Sequence, residues 1–140
     1  MSYRIVEVRR DSLPIPVAAP LARLQGERVI EFLRESIEGG FDPVDGTDRE
    51  RKADGKPRGY DTGALARGLR LRSAGSTRTF ARFEIMPPAS RSMLDEPRGD
   101  DGVSFIDRHR LISIEGRAAE LIEEATDDYM RALEERGTRT

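Results

Sequence analysis

Between Ile114 and Arg136, the apolar residues Ala118, Leu121, Ile122, Ala125, Tyr129, Ala132 and Leu133 recur at spacings of three and four. That spacing lines one face of an α-helix, and Gly137 follows as a stop signal. A second stripe, Ala22, Val29, Leu33 and Ile37 with Gly26 and Ile30 beside it, runs from about Pro20 to Glu38 and ends at Gly39-Gly40. Glycine tolerates the left-handed turn that closes helices. The chain is thus bounded by two amphipathic helices, and the segment between them has to supply what their apolar faces cover.

That segment is patterned for strands. Leu69 to Ser73 alternates leucine with arginine, and Arg78 to Met86 places Ala81, Phe83 and Ile85 on one face. Ala74-Gly75-Ser76 reads as the hairpin connection between them, and Pro87-Pro88 ends the second strand. Tyr3 to Val8 alternates in the same way, and Val103 to Ile106 reads as a further short strand. Pro14 and Pro16 keep the chain extended ahead of the first helix. The expected class is α+β: an N-terminal and a C-terminal helix packed on a small antiparallel sheet, with a long charged loop. Residues 1–18 read as an extended arm, 19–136 as one domain containing the loop 39–60, and 137–140 as a tail.

The loop carries Asp42-Pro43, Asp45-Gly46, Asp54-Gly55 and Lys56-Pro57, each a turn signal, without any apolar period. About 20 structureless residues inside a domain call for a reason, such as ordering against a partner. Hydrophobic and charged residues each make up 36% of the chain, so the core is small relative to the solvated or partner-covered surface. No apolar run reaches the roughly 20 residues that span a bilayer.

Catalytic constellations are not legible. With no cysteine and a single histidine, His109, there is no set of zinc ligands. Asp42, Asp45 and Asp48 lack the spacing of a calcium loop and its closing glutamate. The carboxylate pairs at 100–101, 123–124 and 127–128 are adjacent residues that point apart, unlike a converging acid–base pair. The expectation is a protein that is not an enzyme and needs no cofactor or metal.

Charge is distributed unevenly. From Arg49 to Arg82 there are 10 basic and 3 acidic residues, and from Glu115 onward 4 basic and 8 acidic, although the net charge is only -2. Arg49, Arg51, Lys52, Lys56, Arg58, Arg67, Arg70 and Arg72 are therefore candidates to face acidic neighbours or DNA. One function for such a segment is a small DNA-binding or regulatory protein using residues 49–82.

The order of features points to another. A helix ending at Gly39-Gly40-Phe41, an aspartate- and glycine-rich loop with a basic end, the turn Asp61-Thr62-Gly63-Ala64-Leu65, a hairpin and a terminal helix follow one another. This layout resembles the phage virion-morphogenesis or tail-completion (neck) family, the Mu G-like group, in which a T-G-x-L turn leads into strands. Thr62, Gly63 and Leu65 match that turn, with Asp61 before it. Where the family's loop often carries tryptophan, the nearest aromatic here is Phe41. The resemblance implies a structural subunit of the virion, assembled in the host cytoplasm as a ring at the head–tail junction. Its implied partners are other copies of itself and neighbouring connector, tail-terminator or tail-tube proteins, with non-specific contact to packaged DNA and no membrane.

Overall fold

The computed structural model describes residues 4–9, 15, 17–57 and 63–138. Strand β1 (Ile5–Arg9) leads to helix α1 (Ala19–Gly39), and the one-turn helix α2 (Ala64–Arg67) precedes strands β2 (Arg70–Ser76) and β3 (Phe80–Met86). A 3-10 segment (Ala89–Asp95), the short helix α3 (Phe105–Arg108) and the long helix α4 (Arg117–Thr138) complete the chain. The class is α+β: α1 lies against a three-stranded antiparallel sheet of order β1-β3-β2, and α4 packs along α1.

The central strand β3 fixes the register. Phe83 lies opposite Val6, Ala81 opposite Val8, and Ile85 opposite Leu71. All but the half-buried Leu71 are buried toward α1, as the two-residue period of a strand requires. Helix α1 starts with Pro20 in its first turn, where the missing N–H costs nothing. It buries Leu21, Ala22, Val29, Ile30, Leu33 and Ile37. Gly26 brings α1 close to β2, since a Cβ there would sit 2.6 Å from a Leu71 methyl. Helix α4 packs along α1, with Ala118 and Ala125 fully buried in the contact. Gln25 Nε2 donates to Thr126 Oγ1 at 3.0 Å, so the polar pair at this interface is satisfied.

Several boundaries differ from the sequence expectation for identifiable reasons. The hairpin turns at 77–79, not at Ala74-Gly75-Ser76; the latter stays in β2, where the register shifts between Ser73 and Ser76 as a bulge. Val103 to Ile106 forms no strand beyond a single Arg98–Val103 bridge. Ser104 caps α3 instead, its hydroxyl accepting from the Asp107 N–H at 3.1 Å. The 3-10 segment occupies ground expected to be loop. Helix α4 begins three residues after Ile114, because Gly116 is left-handed at φ 64°, and it continues through Gly137.

Among the described residues before α1, none stands apart as an arm. β1 is a sheet strand, and Ile15 and Ala18 are buried with Val6, Val8 and Phe83. The loop is not structureless either: from 41 to 57 it forms two closed turns, with bridges Phe41–Asp48 and Arg51–Pro57. The start of the first strand at Tyr3, Pro14 and Pro16, and the residues Arg58, Asp61 and Thr62, lie outside the described residues.

Candidate functional site: a latched loop and an open sheet face

Helix α1 ends on Gly40 at φ 76°, with the N–H groups of Gly40 and Phe41 both bonded to the Ser36 carbonyl. The loop that follows is built from Asx turns. Asp42 Oδ1 accepts from Val44 N–H at 2.8 Å, Asp45 Oδ1 from Thr47 N–H at 3.0 Å, and Asp54 Oδ1 from Lys56 N–H at 2.9 Å. Arg49 N–H then returns to the Gly40 carbonyl at 2.7 Å, and Pro57 packs over Gly40, where a Cβ would meet its ring at 2.7 Å.

Two arginines fasten this loop to the region before α4. The guanidinium of Arg49 donates to the carbonyls of His109 and Arg110. Burial is the largest influence on it and pulls its pKa below the ordinary arginine value. Arg110 lies in the left-handed region at φ 48°. It occupies the position after α3 that glycine usually takes, because Leu111 N–H bonds Ile106 O at 3.0 Å and Arg110 N–H bonds Asp107 O at 3.2 Å. A side chain there costs about 1 kcal/mol relative to glycine. The offsetting contacts are ion pairs from Arg110 to Asp42 at 2.8 Å and Asp45 at 3.2 Å. The bonds from Thr47, more than Arg110 itself, hold the Asp45 carboxyl below its usual range. From the other side, the backbone of Val44 rests on Gly116, where a Cβ would be 2.9 Å from Val44 Cα.

The second feature is the sheet face turned away from α1 and α4. Opposed residues share a face, which places Arg70 beside Met86, Arg72 beside Glu84 and Ile5, Arg82 beside Glu7, and Arg9 beside Phe80. Arg72 pairs with Glu84, and Glu7 binds both Arg82, at 3.0 Å, and Arg9, at 2.9 Å. The guanidinium carbons of Arg9 and Arg82 lie 5.0 and 5.2 Å from the Phe80 ring centre. This is cation–π range, and it holds the half-buried ring between two positive groups.

The structure divides the sequence candidates. Arg49 is directed inward at carbonyls of its own chain and acts as a latch; it is not a partner-facing charge. Arg51 is exposed, and Lys52, within 3.9 Å of Asp54, and Lys56 sit on the second turn of the loop. Arg67, Arg70 and Arg72 are exposed on α2 and β2, with Arg70 Nε 3.4 Å from the Pro87 carbonyl. Gly63 opens α2 at φ 83°, and Leu65 is buried in the core. Arg34 of α1 anchors this part of the motif turn by donating to the carbonyls of Ala66, Arg67 and Leu69.

Sequence reasoning missed Arg4, Arg9, Arg34 and Arg110, and held Arg82 only as the end of the basic segment 49–82. Arg4 is 6% exposed and bonds both Asp95 and Asp107. Burial alone would lower its pKa, yet the two carboxylates outweigh it and raise the value. His109 is half-buried with its ring 4.5 Å from that of Phe105, a packing position. Asp42 and Asp45 face Arg110, and among the described residues no group of three potential ligands is gathered for a metal ion. No helix of the described residues is long and apolar enough to cross a membrane. Comparison with protein-family models, curated proteins and solved structures finds no match to this chain.

Proposed function

We propose that this protein is a structural subunit of a phage or phage-like particle, acting without catalysis at the neck or tail end and assembling there with copies of itself. The observation that carries this is the open face of the sheet. Helix α1 covers one side of β1-β3-β2, with α4 packed along α1, and the other side presents four arginines, two glutamates and the half-buried ring of Phe80. An extended charged face, whose central strand is apolar only at its two ends, suits contact with another macromolecule better than enclosure of a small substrate. The choice of a virion partner rests on the sequence resemblance.

Deletion of the gene in the producing phage tests the proposal. The expected result is filled heads without stable tails, restored by supplying the protein in trans. Normal infectious particles from the deletion strain would overturn it. A nucleic-acid-binding role is the second candidate, favoured specifically by Phe80 between Arg9 and Arg82, since arginines with a stacking ring suit single strands. DNA affinity falling steeply with added salt and lost in Arg82→Ala would favour that role.

A further inference from the structure

The open sheet face has a counterpart on the same chain. On α4 the apolar line turns toward α1, and Glu123, Asp127 and Glu134 lie on the opposite side at offsets of four and seven residues, which repeat one line of a helix. The neighbouring carboxylates are neutralised: Glu120 and Glu124 by Arg117, and Asp128 by Arg28 and Arg131. Glu123, Asp127 and Glu134 have no cation among the described residues. Like charges four apart on a helix repel, so Glu123 and Asp127 weaken the isolated helix unless a positive surface meets them.

On the sheet, Arg70 and Arg72 of β2, Arg82 of β3 and Arg9 of β1 step across the three strands in successive rows of the register. They form a diagonal of four arginines in which Arg72 pairs with Glu84, Arg82 and Arg9 share Glu7, and Arg70 has no carboxylate among the described residues. The four arginines outnumber the two glutamates, so the diagonal stays net positive. At about 3.3 Å per residue and 4.8 Å between strands, the diagonal spans roughly 20 Å. Eleven residues of helix at 1.5 Å each separate Glu123 from Glu134 by about 16 Å. The two lines are therefore opposite in sign and comparable in length. They cannot meet within one molecule, because one faces away from the helices and the other away from the sheet.

We propose that α4 of a second copy of this chain lies across the open sheet face, with Glu123, Asp127 and Glu134 over the arginine diagonal and the Phe80 ring. The inference rests on the assembly role proposed above and specifies its interface. The contact joins unlike surfaces, so each copy offers a free sheet face and a free helix and the association runs head to tail. Docking uses the face rather than the edge of β2, because the bulge at Ser73–Ser76 interrupts the row of groups a new strand would need.

The chain has no cysteine, which gives a clean background for cross-linking. In one chain carrying Arg72→Cys and Asp127→Cys, diamide oxidation is expected to yield a ladder of disulfide-linked oligomers. The same treatment of Arg51→Cys with Asp127→Cys is expected to leave monomer. In parallel, Arg70→Glu/Arg72→Glu and Glu123→Arg/Asp127→Arg are each expected to weaken self-association at least tenfold, and mixing the two variants to restore it. Arg70→Glu alone, beside Met86 and clear of every ion pair on the face, gives the same readout without disturbing Glu84. Self-association as strong in all these variants as in the wild type would overturn the interface and leave the assembly role standing. Protein that is monomeric at every concentration would overturn both. Loss of DNA binding in Arg70→Glu/Arg72→Glu with unchanged self-association would assign the face to nucleic acid and overturn the interface.

Discussion

Arg4 shows how a charge becomes part of the core. Its neighbours in β1, Val6 and Val8, are almost completely buried, and the strand period carries Arg4 inward with them. The cost of desolvation is offset by Asp95 and Asp107, which are themselves partly exposed. Arg4→Met should destabilise the protein by about 2 kcal/mol in urea unfolding, below the usual loss for a fully buried pair because both carboxylates can reach water. No change in the unfolding midpoint would contradict this. Glycines separate conformational strain from contact. Gly46 and Gly116 are both left-handed, but a Cβ on Gly46 meets nothing within 4 Å, whereas one on Gly116 collides with the Val44 backbone. Gly46→Ala should therefore cost about 1 kcal/mol, and Gly116→Ala at least twice that. Equal losses would mean that Val44 does not rest on Gly116 in solution.

At the scale of elements, the loop 41–57 is a preformed unit held by Arg49 and Arg110. Arg110→Gly removes two ion pairs but relieves the left-handed strain, so global stability should change by less than about 1 kcal/mol. Meanwhile the amides of Asp42, Gly46 and Arg49 should lose hydrogen-exchange protection; unchanged protection would mean that Arg110 does not hold the loop. The carboxyl of Asp45 has a depressed pKa when folded, as does that of Asp101, chiefly through its bond from Arg108. Their contribution is present above the ordinary carboxylate value of about 4 and is lost as pH falls through the lower folded value. The Thr47 amide resonance should therefore stay constant from pH 7 to 5 and move only below about pH 4. A transition between pH 7 and 5 would contradict the assignment. The turn signals of this loop were legible in the sequence because each Asp-Gly, Asp-Pro or Lys-Pro step acts locally. Its order was not, because Arg49 and Arg110 act across 60 residues of chain. For the same reason the strand period exposed Ala81, Phe83 and Ile85, while the hairpin turn was misplaced at Gly75, where a bulge uses the same glycine freedom as a turn.

For the whole molecule, the uneven charge of the sequence becomes two surfaces that look in different directions. Composition alone showed a basic middle and an acidic end. It did not show that Arg9, from the first strand, completes the basic diagonal, since that pairing depends on β1 joining β3 across the length of α1. Nor did it show that Arg49 is withdrawn from the basic surface. Head-to-tail contacts between unlike surfaces grow until they close, so a ring gives one defined species, and the charged contact weakens with ionic strength. Sedimentation velocity of the purified protein across a concentration series, at about 50 mM and about 500 mM salt, tests this most directly. The account predicts a single discrete oligomer at low salt that returns toward monomer at high salt. Monomer alone under every condition, or an oligomer that salt leaves untouched, would contradict it.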